Sequence, residues 1–148
     1  MRLTSFTDYG LRALMRLAAE PGRAFTTEEL AGELAISRNH LVKIVRKLGE
    51  AGFVTARRGK NGGFLLAQPA DRITIGNVVR QLEDRQALVE CFRVDGGTCV
   101  MTPACGLRPL LARAAEAFLG ALDGALLSDC AYPREKLARG IHAEEARP

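Results

Sequence analysis

No stretch of this chain reaches the roughly 18 consecutive apolar residues that span a bilayer, which excludes a transmembrane helix. The opening run Met-Arg-Leu-Thr-Ser-Phe-Thr-Asp lacks the apolar core of a signal peptide. A cytoplasmic protein with reduced thiols is therefore expected, in which disulfides between its four cysteines are the less favoured use. No C-x-x-C pair occurs, which counts against a zinc ribbon and a thioredoxin-like dithiol. No Ser-His-Asp set, P-loop or dinucleotide fingerprint is present, so the chain does not read as an enzyme. There is no internal repeat and no low-complexity tract.

What is present fits one compact domain, or a small domain with an appendage. The hydrophobic fraction is 47% and the charged fraction 26%, ordinary for a soluble globular chain. The charge is uneven. Residues 1–67 hold 11 Lys/Arg against 6 Asp/Glu, and residues 68–148 hold 10 against 11. The positive excess lies in the N-terminal half, as expected if that half faces phosphates.

The pattern predicts a helix over 5–20, with Phe6, Leu14, Leu17 and Ala18 near one face and Pro21-Gly22 as its stop. Thr26 or Thr27 caps a second helix running to Ala35, with Glu28 and Glu29 in its first turn. Ile36-Ser37 is a short joint. Ser37 is a good N-cap for a third helix to about Ala51, closed by Gly52. Two helices separated by a tight turn form a helix-turn-helix candidate. On the third helix Leu41, Ile44, Val45 and Leu48 share one side. Asn39, Lys43 and Arg46 lie opposite, flanked by His40 and Lys47. These donors suit base edges and phosphates, although a merely solvated basic face reads the same way.

The next segment moves the balance toward DNA. Phe53–Arg57 and Gly63–Leu66 read as short strands around the cationic tip Arg58-Gly59-Lys60-Asn61-Gly62. A helix-turn-helix followed by a basic hairpin is a winged helix, and the tip suits phosphate or minor-groove contact. Ile73–Gly76 then leads a short helix ending near Glu83-Asp84. From Leu107 to Leu126 apolar residues recur at helical spacing, and part of this broad stripe is expected to face a second subunit. The expected fold is mainly α: a winged helix-turn-helix with a small β-hairpin wing and a long C-terminal dimerisation helix. The expected divisions are a DNA-binding domain (1–84), a cysteine loop (85–106), a dimerisation helix (107–131) and a mobile tail (132–148).

Cys91, Cys99 and Cys105 fall within fifteen residues, separated by gaps of seven and five. Clustered thiols suit a soft metal or an iron–sulfur cluster. Spacing alone leaves three uses open: a metal or cluster, thiol redox sensing, or inert packing. Cys130 stands apart and reads as structural or free. Neither His40 nor His142 is a convincing local fourth ligand. An oxygen, another thiol or an exogenous molecule would complete the set, and a loosely held fourth position would raise reactivity.

The opening M-R-L-T-S-F-T-D-Y-G-L-R-A-L, the segment S-R-N-H-L-V-K-I-V-R-K-L, the wing R-G-K-N-G-G and the loop E-C-F…C…P-A-C-G-L together resemble the NsrR branch of the Rrf-type winged-helix regulators. The likeness covers about residues 1–130. It implies a homodimeric repressor that binds a double-stranded DNA operator and holds a 4Fe-4S cluster (2Fe-2S as the alternative). It further implies that nitric oxide nitrosylates the cluster and releases DNA, with genes of nitric oxide detoxification as targets. By position, Cys91, Cys99 and Cys105 match the cluster ligands. Asp8 matches a residue that supplies an oxygen ligand from the partner subunit, although an acid in a first helical turn is also ordinary dipole complement. Ser37, Arg38, Asn39, His40 and Lys43, with Arg46 further along the same face, match the reading helix, and Arg58, Lys60 and Asn61 match the wing.

Two departures stand out. The first cysteine gap is longer than usual in the branch, with the extra length around Asp95-Gly96-Gly97. Regulators of the IscR type carry a histidine three residues after the third cysteine, where this chain has Arg108. Two other functional readings remain: a same-fold regulator sensing cluster supply or redox state, and a metal-carrying interaction protein without specific DNA binding.

Overall fold

The computed structural model describes residues 2–83 and 87–137. Residues 1, 84–86 and 138–148 lie outside the described residues, and with them most of the tail expected to be mobile.

Helix α1 spans Ser5–Ala18. Thr4 caps it from extended backbone, its hydroxyl accepting the Thr7 N–H at 3.2 Å. Thr4 also donates through its N–H (2.7 Å) and hydroxyl (2.9 Å) to Glu83, which ties the start of α1 to the end of α4 (Ile75–Leu82). Ala13, Leu14 and Leu17 are buried, as their spacing requires. Gly10 is where α4 comes closest: a Cβ there would stand 2.6 Å from a Leu82 methyl.

Helix α2 covers Thr27–Leu34 and is capped by the Thr26 hydroxyl, which accepts the Glu29 N–H at 3.2 Å. It stops at Ala35, whose φ of 52° and ψ of 41° place a side-chain-bearing residue in the left-handed region. This one residue makes the tight turn. Ile36 then donates to the Ala31 carbonyl at 3.0 Å and turns its own side chain into the core. Helix α3 follows at Arg38–Glu50. Ser37 holds the N-cap position, but its hydroxyl makes no capping bond, contrary to the expectation from sequence. Leu41, Ile44 and Leu48 are fully buried against Leu14, Leu17 and Leu30 in one cluster.

Strands β1 (Val54–Arg57) and β2 (Gly63–Leu66) pair antiparallel, with Val54 opposite Leu66 and Arg57 opposite Gly63. Phe25 adds a bridge that sequence periodicity did not reveal. It exchanges two backbone hydrogen bonds of 2.9 Å with Phe64, so the wing is pinned to the α1–α2 connection. Gly63 makes this approach possible, since a Cβ there would fall 2.3 Å from the Phe25 carbonyl oxygen.

Helix α5 runs over Leu107–Asp123. Phe118, Leu119 and Leu122 on its C-terminal half pack on the core, and Asp123 takes a two-pronged ion pair from Arg80 at 2.5 and 2.8 Å. Its N-terminal half is uncovered in the single chain, with Leu107 57% and Leu110 52% exposed. The helix ends at Asp123, short of residue 131 where the sequence reading placed it. The apolar stripe continues through Ala125 and Leu126, but those residues leave the helix after Gly124. The Ala125 carbonyl accepts from Ile75 N–H (2.9 Å) and Leu127 N–H donates to Ile73 (2.8 Å), which seats Leu127 fully inside the core.

Candidate nucleic-acid interface and thiol site

The outer face of α3 and the tip of the wing form an exposed polar surface. Leu41, Ile44 and Leu48 turn inward, which leaves Ser37, Arg38, Asn39, His40, Lys43 and Arg46 exposed. Arg38 is held by Glu28 of α2 at 2.6 Å and Arg46 by Glu50 at 2.9 Å. Both pairs are exposed and so cheap to exchange for a phosphate. Among the described residues, Asn39, His40 and Lys43 have no intramolecular side-chain partner and keep their hydrogen-bonding groups open. Sequence reasoning placed Val45 in the core stripe, and it is partly buried there. It did not single out Val42, which stands 47% exposed on the outer face.

At the wing tip, Gly59 takes a φ of 103° and its carbonyl accepts the Gly62 N–H at 2.9 Å, which closes the turn and projects Arg58, Lys60 and Asn61 into solvent. Behind the tip, Arg57 donates to the Gly22 carbonyl at 3.1 Å.

A buried ionic cluster, missed in the sequence, braces this head. Arg16 of α1 is completely buried. It donates to Glu33 of α2 at 2.7 Å and to Glu20 at 2.6 Å, and its guanidinium lies over the Phe25 ring, 4.8 Å from the centroid. Arg23 covers the same ring at 4.3 Å and bonds Glu20 and Glu29. Burial works against the Arg16 cation, but its bonds to Glu20 and Glu33 outweigh this and raise its pKa. The Arg16 bond, then the Arg23 bond, holds the Glu20 carboxyl below the usual carboxylate range. The cluster joins α1, α2 and, through Phe25, the root of the wing.

The cysteine loop is built from short turns. Cys91 lies in a single 3-10 turn, Glu90–Phe92, and Cys105 follows another, Thr102–Ala104. Asp95-Gly96-Gly97, the extra length of the first gap, forms a closed turn and does not bulge freely. Asp95 accepts the Gly97 N–H at 3.1 Å, and Gly96 and Gly97 take positive φ of 77° and 62°. One Glu90 oxygen accepts from the Thr98 N–H (2.9 Å) and hydroxyl (2.7 Å). Those bonds, the hydroxyl first, keep the Glu90 carboxyl below its ordinary range. The brace ties the residue before Cys91 to the residue before Cys99.

Cys91 and Cys105 line one open cavity of about 920 Å³, walled also by Phe92, Arg108 and Glu116. Arg108 lies over the Phe92 ring, 5.9 Å to the centroid. Cys99 is not in that wall. All four cysteines are free and partly exposed. Among the described residues, no three His, Cys, Asp or Glu side chains converge to hold one metal ion. Asp8 is half exposed on α1, held by Arg12 through bonds of 2.6 and 3.1 Å, and does not line the cavity. The single chain thus brings two of the proposed ligands together and leaves Cys99 and Asp8 outside. Cys130 is partly buried and packs against the core. No helix among the described residues is long and apolar enough to cross a membrane.

Solved structures share this architecture. The oxidized form of Staphylococcus aureus CymR is 26% identical, with 86% of this chain and 94% of that chain covered and a TM-score of 0.68. CymR of B. subtilis, described as the global cysteine regulator, is 28% identical over 88% of this chain and 96% of that one, also at 0.68. T. potens IscR, at 21% identity, matches in fold over 100% and 94% of the two chains with a TM-score of 0.68. A family model described as an iron-dependent transcriptional regulator matches residues 3–132, the whole span from the α1 cap to the turn after α5. The chain belongs to the Rrf2 family of transcriptional regulators.

Proposed function

We propose that the chain is a cytoplasmic, homodimeric transcriptional repressor of the NsrR type, releasing its operator in response to nitric oxide through an iron–sulfur cluster. The observation that carries this reading is the loop itself: three thiols within fifteen residues, two of them on one cavity wall, braced by Glu90 and Thr98. Cys91, Cys99 and Cys105 would hold a 4Fe-4S cluster, with 2Fe-2S as the alternative, and Asp8 of a second copy would offer an oxygen. The donor chemistry fits, since soft thiols select iron–sulfur groups and Arg108 complements an anionic one. The single-chain geometry fits in part, because Cys99 must swing toward the cavity. That movement would require the Glu90–Thr98 bonds and the Asp95–Gly97 turn to open. Bound there, the cluster would supply the iron that nitric oxide attacks.

The remaining work falls to the chain's own residues. Asn39, His40 and Lys43 offer base-reading donors, with Ser37, Arg38 and Arg46 beside them, and Arg58, Lys60 and Asn61 supply wing contacts. The uncovered half of α5, with Leu107 and Leu110, offers the surface for a second subunit. Val94, Val100 and Met101 of the cysteine loop are also exposed and extend the apolar area.

A second reading, thiol redox sensing without a cluster, is favoured by one observation: the thiols do not converge. Two CymR relatives, one described as a cysteine regulator and one as an oxidized form, support it. Iron and acid-labile sulfide in anaerobically purified protein separate the two. The cluster reading expects both in the parent and in Cys130→Ala, and their loss in Cys91→Ala, Cys99→Ala and Cys105→Ala. Full cluster content in Cys99→Ala would overturn it, and iron-free parent protein with DNA binding reversed by thiol oxidation would favour the second reading.

A further inference from the structure

Val42 is the large apolar side chain exposed on the outer face of α3, at 47%. Its neighbours on that face are polar or charged: Asn39 is three residues before it, and Arg38 and Arg46 are four residues to either side. An isolated surface apolar residue is ordinary in itself. Two features set this one apart. A β-branched residue at an exposed helical site costs helix propensity relative to the Lys, Arg or Ala that solvent would favour. It also stands in the first half of the helix, the part that a helix-turn-helix protein lays against base edges. That propensity cost is not offset within the chain, where Leu41, Ile44 and Leu48 already fill the core side.

We infer that Val42 is a specificity-determining residue that packs its methyls on the C5-methyl group of a thymine in each operator half-site. In the major groove that methyl is the apolar mark by which thymine differs from cytosine, and short apolar side chains meet it. Asn39 and Lys43 would supply hydrogen bonds to adjacent bases, leaving Val42 to select a thymine that those donors do not read. The inference rests on α3 being the reading helix.

The test uses the full-length, anaerobically purified protein and a duplex selected by it from a random pool. Each thymine of that duplex is replaced in turn by deoxyuridine, which deletes only the methyl. Affinity is measured for the parent and for Val42→Ala, whose melting temperature is checked against the parent. One buried methyl is worth about 0.8 kcal/mol, about fourfold in affinity. The expected result is a roughly fourfold loss at one thymine per half-site for the parent and a clearly smaller loss at that position for Val42→Ala, whose single Cβ reaches less far toward the methyl. If no thymine is sensitive in the parent, or if Val42→Ala loses as much at the same position, the inference is overturned while the reading helix stands. If the parent shows no preference for the selected duplex, or Asn39→Ala and Lys43→Ala keep the parent's preference unchanged, α3 is not the reader and both fall.

Discussion

Arg16 is the largest of the fully buried side chains, and replacing it tests how the reading head is held. Arg16→Ala removes the ion pairs to Glu33 and Glu20 and the cation lying on Phe25. Glu33 suffers most. Its side chain is 10% exposed, and one of its oxygens already lacks a hydrogen-bond partner, with Arg134 no nearer than 3.6 Å. Breaking a buried pair from one side leaves an uncompensated charge and costs about 3–5 kcal/mol. Domains of this size have about 5–15 kcal/mol in all, so the loss is a large fraction of stability. Removing both charges is different: Arg16→Met with Glu33→Met should fall within about 1–2 kcal/mol of the parent, because the desolvation cost disappears with the attraction. Urea unfolding followed by far-UV circular dichroism, with a double-mutant cycle, measures both. The pH profile adds a sign. Glu20 titrates below its ordinary range when folded, so its contribution is complete above the usual carboxylate range and vanishes as pH falls through the lowered value. Arg16→Ala should flatten that acid-side decline. A loss under about 1 kcal/mol for Arg16→Ala, with an unchanged acid profile, would refute the reasoning.

Lys60→Ala should weaken all DNA sequences about equally and lower the log–log salt slope by about one unit, whereas Asn39→Ala should cost roughly 1–3 kcal/mol on the selected site alone. Equal losses on specific and random DNA for Asn39→Ala would show the roles to be wrongly assigned. Ala35→Gly should raise stability by about 1 kcal/mol, since Ala35 holds a left-handed φ of 52°. Unchanged or lower thermal stability would contradict this. If α5 carries the proposed dimer contact, Leu110→Glu should shift sedimentation from dimer to monomer and leave the far-UV spectrum intact, because Leu110 is exposed in the single chain.

The sequence made the helices legible where apolar spacing and capping residues agree. The Thr4 cap lay one residue before the read start, and Thr26, Leu41, Ile44 and Leu48 carried α2 and α3. The wing was legible because Gly59 and Gly62 bracket a turn between strand-forming residues. The failures share a cause: a tertiary partner overrode the local pattern. Arg16 reads as a last-turn cation, yet Glu20, Glu33 and Phe25 draw it inside. Leu126 continues the α5 stripe, yet Ile73 and Ile75 recruit its neighbours into backbone bonds. Phe25 sits between Arg-Ala and Thr-Thr with no alternation to mark its bridge to Phe64. The cysteine loop stands out in the sequence by its clustered thiols, but its geometry does not, because its shape comes from the Glu90 and Asp95 side chains and not from periodicity.

The claim that the cysteine loop governs the reading head is tested most directly by fluorescence anisotropy of a labelled operator duplex during anaerobic titration with nitric oxide. The proposal predicts that the parent and Cys130→Ala release DNA as nitric oxide is added, in step with bleaching of the iron–sulfur absorption. Cys99→Ala should show no nitric oxide response. DNA binding by cluster-loaded parent protein that does not change throughout the titration would contradict it.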